Sequence, residues 1–174
     1  TLLYELRTDM NAYLATLPGK EMPRSLADLI AFNKANAAEE MRWFDQGLFE
    51  MAVERTDEQA YRAARDNALH LAADRGIDRL LEENQVALLV VPTRGPAWTS
   101  DLVNGDNFDG SIGAGSLAAI AGYPHLTVPM GAVERLPVGI SFLGPKWSDH
   151  LVLKAGAAYE SARTATIPEP SLQP

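Results

Sequence analysis

The 174-residue chain contains no cysteine, which excludes disulfides and thiolate metal sites and fits a reducing cytoplasm. Basic residues are sparse: 15 Lys and Arg stand against 23 Asp and Glu, a formal net charge of -8. No Lys/Arg cluster focuses a positive field, so the electrostatic footprint of a nucleic-acid partner is missing. No apolar run reaches the roughly 18 residues needed to cross a bilayer. The opening TLLYELRTDMNAYL carries Glu5, Arg7 and Asp9 where an export signal is uninterrupted apolar. We therefore expect no membrane partner and no export signal. The three histidines, at 70, 125 and 150, lack the spacing of a zinc site, so surface or structural roles, no metal and no cofactor are expected.

What is present reads as a globular domain: 47% of residues are apolar and 22% charged. The chain starts at Thr1 rather than Met, which leads us to expect a segment of a longer protein. Residues 1–83 read as mainly helical. Residues 84–174 read as strands, a long loop and a final helix, the whole forming a single domain or fragment.

Leu2, Leu3, Leu6, Met10, Tyr13, Leu14 and Leu17 recur at three- and four-residue spacing, predicting a first helix that Pro18 and Gly19 end. Ser25 with Asp28 predicts a capping box for a second helix with Asn33 on its buried face. EEMRWFDQGLFEMAVE reads as a short helix interrupted near Gly47. Thr56 with Gln59 predicts the cap of a long helix running to about Leu81, with Gly76 as a kink or break. VALLVVP (86–92) is a continuous apolar run ended by proline, the pattern of a strand buried on both faces. SLAAIAG reads as a small-residue helix closed by Gly122, followed by strands HLTVPMG and LPVGISFLG around a turn at GAVER. So short a connection pairs two strands antiparallel, and beside a buried α/β strand this predicts a mixed sheet flanked by helices. A last helix is capped by Ser148, and a Pro-rich tail extends beyond it.

Residues 92 to 116 are rich in Pro, Gly, Asn, Asp and Ser. This loop leaves the C-terminal end of a strand, where open α/β sheets put their ligands. It is the leading pocket candidate, and its Trp98 either lines that pocket or covers the core. GSIGAGS lacks the lysine of a phosphate-binding loop. Ser116 follows a loop rather than a strand, so it is read as an N-cap and not as an elbow nucleophile. Asp149 and His150 are adjacent on a helix and point about 100° apart, so they cannot join Ser116 in a triad.

AGYPHLTVPMG followed by LPVGISFLGPKWSDHLVLKAGAAYE resembles the C-terminal part of the amidase signature family. LLYELRTDMNAYLATLP, SLADLIAFNKANAAEEMRWFDQGLFEMA and ALLVVPTRGPAW resemble the helices and strand that precede it in bacterial members, so the likeness covers nearly the whole chain. The resemblance implies an α/β/α sandwich and amide hydrolysis by a Ser, cis-Ser, Lys triad, in which a neutral lysine deprotonates the nucleophile through the bridging serine. That triad belongs to a Gly- and Ser-rich signature in the family's N-terminal half. This chain has no Gly-Gly-Ser-Ser run, and its four lysines (20, 34, 146, 154) stand in no matching context. FDGSIGAG echoes the nucleophile's neighbourhood but lacks the arginine and proline that follow there.

The expectation is therefore the C-terminal portion of an amide hydrolase, with no catalytic residue in this chain. Thr93, Trp98, Asp101, Asn104 and Ser116 are expected to contact a small-molecule amide or shape its entrance. The missing N-terminal part is the expected partner. A cut sheet exposes an edge, so a homo-oligomer is expected if the segment is stable alone. Two rivals stand beside this reading. One is an amidotransferase component using Asp101 and Arg94 on the amino-acid ends of glutamine. The other is a non-catalytic binding or scaffold module with the same fold.

Overall fold

The computed structural model describes residues 1–108, 110–167 and 169; the rest of the expected Pro-rich tail, Pro168 and residues 170–174, lies outside the described residues. The chain forms two compact units, Thr1–Asp66 and Asn67–Pro174. The first holds α1 (Leu2–Thr16), α2 (Leu26–Ala35), α3 (Ala37–Glu40), α4 (Gly47–Val53) and the opening turns of α5 (Glu58–Ala72).

In this first unit Ser25 accepts a hydrogen bond from the Asp28 backbone N–H, as the capping box requires. The Asp28 carboxylate accepts the Arg24 N–H at 3.1 Å. The Ser25 hydroxyl first, then the Arg24 N–H, hold the Asp28 carboxyl below its ordinary value. Asn33 is half-buried and donates to the side-chain oxygen of Gln46, whose own amide donates to the Ile30 carbonyl. The interruption expected near Gly47 falls just before it: Gly47 opens α4, its N–H held by Asp45. The cap of α5 is also one residue later than the sequence suggests. Asp57, not Thr56, accepts the Ala60 N–H, a carboxylate being favoured at a helix N-terminus by the macrodipole. The apolar stripe of α1 buries Leu14 but leaves Leu2 81% and Tyr13 59% exposed.

In the second unit α5 passes into a π-helical turn, Ala73–Asp78, then α6 (Arg79–Asn84). The break expected at Gly76 is this turn, where a Cβ would lie 2.8 Å from the Leu71 carbonyl oxygen. β1 (Leu89–Pro92), α7 (Gly115–Ala121), β2 (His125–Val133), β3 (Leu136–Leu143) and α8 (Asp149–Ala162) complete the unit. The strand order is β1-β3-β2.

Helices flank a sheet, as the α/β class requires, but both ladders are antiparallel. β3 lies between β1 and β2, so the two strands that share a direction never pair, and the parallel component of a mixed sheet is not formed among the described strands. Glu134 and Arg135 turn the β2–β3 hairpin, both with positive φ (47° and 70°), the geometry of a two-residue primed turn. A bulge between Pro129 and Gly131 falls where proline offers no N–H to the ladder.

The sheet has two unlike faces. Phe142, Val128 and Leu126 pack under Val152, Ala155 and Tyr159 of α8. On the other face Leu143 and Leu89 join Ala72, Ala73, Ile77, Leu81, Ala118 and Ala121. β1 is not buried on both faces as its sequence suggests: Val90 is 50% and Val91 37% exposed, because β1 is the sheet edge. Gly122 closes α7 with φ 70°, as expected. Ser148 occupies the N-cap position of α8, yet its hydroxyl donates to the Pro145 carbonyl instead of accepting from the helix.

Candidate active-site wall

The loop after β1 is pinned at its root. The Thr93 N–H donates to the Gly139 carbonyl at 2.8 Å, and the Thr93 carbonyl accepts the Ala114 N–H at 3.0 Å. Arg94 and Gly113 form an antiparallel bridge just beyond. The irregular chain between them is thus closed on itself at the C-terminal end of a strand.

Carboxylates organise the interior of the loop. Asp101 accepts from the N–H groups of Val103 and Asn104, each at 2.9 Å, and from the Asn104 side-chain amide at 3.0 Å. The Asn104 backbone bond first, then the others, hold its carboxyl below the usual carboxylate range. Asp106 accepts the Trp98 indole N–H at 3.0 Å and the Asp101 backbone N–H at 2.8 Å, and its pKa is lowered by the indole bond first. Trp98 and Phe108 rings meet at 4.5 Å, and the Arg94 guanidinium lies 4.5 Å from the Phe108 centroid and 5.6 Å from that of Trp98. An open depression of about 770 Å³ lies against the loop, lined by Trp98, Asp101, Leu102 and Ile112 among others.

A second polar group underlies the root. Residues 93, 127, 125 and 141 project from one face of the three strands, because side chains alternate along β1, β2 and β3 and Thr127 pairs with Ser141. The fully buried Ser141 hydroxyl lies 2.7 Å from His125 Nε2, 2.8 Å from Thr93 Oγ1 and 3.1 Å from Thr127 Oγ1. Gly139 makes room for this convergence, since a Cβ there would lie 2.7 Å from Thr127 Cγ2 and 2.8 Å from Thr93 Oγ1.

The sequence-expected residues therefore separate into three groups. Thr93 belongs to the hydroxyl cluster; Trp98, Asp101 and Asn104 belong to the loop, where Trp98 and Asp101 line the depression. Ser116 lies exposed within α7, whose N-cap is Ala114, so its expected capping role is not realised. The Ala114 N–H donates to the Thr93 carbonyl, and the helix opens at Gly115, one residue before Ser116. Thr127 and Ser141 are not among the residues the sequence singles out, and His125 is read there only as a surface or structural histidine. Their signal is the two-residue alternation of His125 with Thr127 and of Gly139 with Ser141, which places all four on one face.

A family model described as Amidase matches residues 2–153. The chain belongs to the amidase family. It is 34% identical over 165 residues to an Arabidopsis thaliana protein named as a probable amidase, covering 92% of this chain and 28% of that protein. The native peptide amidase of Stenotrophomonas maltophilia superposes with a TM-score of 0.82 at 39% identity, over 97% of this chain and 34% of that one. A stretch of 42 residues is 45% identical to a glutamyl-tRNA(Gln) amidotransferase subunit of Streptococcus suis, covering 24% of this chain and 9% of that protein. The chain thus spans about a third or less of the length of these relatives.

Within this amidase chain, AGYPHLTVPMG forms the end of α7, the corner and most of β2. Tyr123 fastens that corner: its hydroxyl donates to Asp78 at 2.6 Å, and this bond, with burial second, pushes its pKa up to about 12. LPVGISFLG is β3 with the glycine that follows it, and it carries both Gly139 and Ser141. Among the described residues no helix is long and apolar enough to cross a membrane.

Proposed function

We propose that this chain forms one wall of the substrate cleft of an amide hydrolase, whose nucleophile and base come from polypeptide outside it. The observation that carries the reading is the self-closed 93–114 loop, standing at the C-terminal end of β1 with a ligand-sized depression against it. Trp98, Asp101, Asn104 and Thr93 shape the cleft in this reading, and Ser116 lies at its entrance. The similarity to a peptide amidase over nearly the whole chain, yet only a third of that enzyme, supports both the reaction class and the division of labour. The proposed substrate is a small neutral amide, and the proposed site of action is the cytoplasm, which cell fractionation tests.

The test is complementation. Mixing or co-expressing the chain with a polypeptide carrying the remaining two-thirds of an amidase is expected to yield amide hydrolysis that neither piece shows alone. Complementation that succeeds in folding but gives no hydrolysis of any amide would count against the reading.

The short match to an amidotransferase favours a second reading, ammonia release from glutamine. Its acid and arginine clamp is poorly supported, because Asp101 is occupied by its own turn and Arg94 lies over aromatic rings. Glutaminase activity of the complemented protein, exceeding that on simple amides, would favour it.

A further inference from the structure

Of the seven asparagines in the chain, only Asn104 is followed by glycine. A backbone nitrogen can attack the side-chain carboxamide carbon of the asparagine before it, and a side chain on the attacking residue obstructs the approach. Glycine has none. Asn104 and Gly105 are both exposed, and a Cβ on Gly105 would meet nothing within 4 Å, so water reaches the reacting atoms from the open side. Asn11, Asn33, Asn67 and Asn84 lie in helices, where the backbone is fixed by the helical ladder.

In the folded loop both reacting groups are held by one residue. Asn104 Nδ2 donates to Asp101 Oδ2 at 3.0 Å, and the Gly105 N–H donates to the Asp101 carbonyl at 3.1 Å. The Asn104 N–H is fixed on Asp101 Oδ1 at 2.9 Å. For attack, Gly105 must give up its proton to hydroxide and turn its lone pair on Asn104 Cγ. The bond to the Asp101 carbonyl keeps that proton in place, and the Asp101 carboxylate opposes a second negative charge beside it. Ring closure therefore waits for the turn to open, and Asp101 resists that opening through its carbonyl and both carboxylate oxygens.

We propose that Asn104–Gly105 is a deamidation site guarded by Asp101, and that its conversion is an irreversible change in the wall of the depression. The Gly105 N–Cγ bond forms, the Cγ–Nδ2 bond breaks, and Nδ2 leaves as ammonia with a proton from water, leaving a succinimide ring. Hydrolysis of the N–Cγ bond yields aspartate. Hydrolysis of the bond between that nitrogen and the Asn104 backbone carbonyl carbon yields isoaspartate. Water is consumed, and no oxidant or reductant takes part. Aspartate sets a second carboxylate against that of Asp101 where Nδ2 had donated, so attraction becomes repulsion. Isoaspartate lengthens the main chain next to Gly105, which lines the depression together with Asp101. The chemistry stands on the loop itself and does not require the hydrolase reading.

The experiment incubates the folded 174-residue chain in mildly alkaline buffer for days, beside the same chain in urea, and follows every asparagine by peptide mapping and mass spectrometry. Asn104 is expected to convert before the other asparagines, and to give isoaspartate as well as aspartate, which direct hydrolysis of the side chain cannot do. Its rate in the folded chain is expected to be about tenfold below that in urea, and Asp101→Ala to raise the folded-chain rate about tenfold. Asn104→Asp, which mimics one product, is expected to speed hydrogen exchange of the Gly105 amide. Earlier conversion of another asparagine, no conversion at Asn104 in the folded chain, or aspartate without isoaspartate overturns the site. Equal rates in folded and unfolded chains, or in Asp101→Ala and the parent, overturn the guarding role; if Asp101→Ala does not fold, the comparison with urea decides. Unchanged Gly105 exchange in Asn104→Asp overturns the effect on the wall. The ammonia released is a single equivalent per site, indifferent to added amide, which separates it from catalytic turnover.

Discussion

The indole N–H of Trp98 donates to one oxygen of Asp106 at 3.0 Å, while the other oxygen accepts the Asp101 backbone N–H at 2.8 Å. A single carboxylate thereby ties a ring on one limb of the loop to the turn at its tip. Asp106→Ala is expected to free Trp98. In a Trp43→Phe, Trp147→Phe background this appears as altered emission and lower anisotropy of the remaining tryptophan. Asp106→Asn, which keeps one acceptor, is expected to lie between. Unchanged anisotropy in Asp106→Ala would show that the rings hold the loop without the carboxylate.

The same carboxylates set an acid limit. Asp101 and Asp106 have folded-state pKa values below the ordinary carboxylate value. Their contribution is therefore complete above the unfolded value of about 4 and is lost as pH falls through the lower folded values. Trp98 emission in the same background is expected to stay constant from neutral pH to about 4 and to change below it.

Tyr123 works in the opposite direction. Its pKa is raised to about 12, so the protonated phenol that donates to Asp78 is favoured by folding. That contribution is complete below the unfolded value of about 10 and disappears as pH rises through 12. Tyr123→Phe is expected to flatten the dependence of thermal stability on pH between these values; a dependence that survives the substitution must have another source.

Packing around the hydroxyl cluster leaves little slack. Gly139→Ala puts a methyl group against Thr93 and Thr127 and is expected to cost roughly 1–3 kcal/mol. Ser141→Ala removes a buried hydroxyl shared by half-buried and exposed partners that water can reach, for a smaller cost of about 0.5–1.5 kcal/mol. Ile77→Ala, at a fully buried position in the other cluster, is expected to cost about 2–5 kcal/mol. Chemical denaturation of the three variants checks the order, with Ile77→Ala the most destabilised.

The β1 edge bears on assembly. Val90 and Val91 are exposed on an outer strand, and such edges pair with other chains. The isolated chain is expected to elute from size-exclusion chromatography as a dimer or larger species, and Val90→Lys to shift it toward monomer. A folded monomer at high concentration would argue that Pro92, which has no N–H to offer, already protects the edge.

Much of this architecture is legible in the residues. The Ser25–Asp28 cap, the break at Gly76, the αL closure at Gly122 and the β2–β3 hairpin each depend on neighbours within a few positions, and each stands where the sequence puts it. The burial of β1 is not legible, because VALLVVP reports the environment its side chains suit and not the one this chain supplies. Ser116 loses its cap because α7 opens at Gly115 with Ala114 as N-cap, and the Ala114 N–H is held by the Thr93 carbonyl, a partner more than twenty residues earlier in the chain. The hydroxyl cluster is hidden for the same reason: it is assembled by strand register across 48 residues, from Thr93 to Ser141, and no local pattern announces a register.

The most direct measurement is to incubate the purified, folded 174-residue chain with a panel of simple carboxamides and follow ammonia release, beside the Ser111→Ala variant. Release indistinguishable from the buffer blank is expected for both proteins. Turnover by the parent chain that vanishes in Ser111→Ala would place the nucleophile inside these residues and contradict the division of the active site proposed for them.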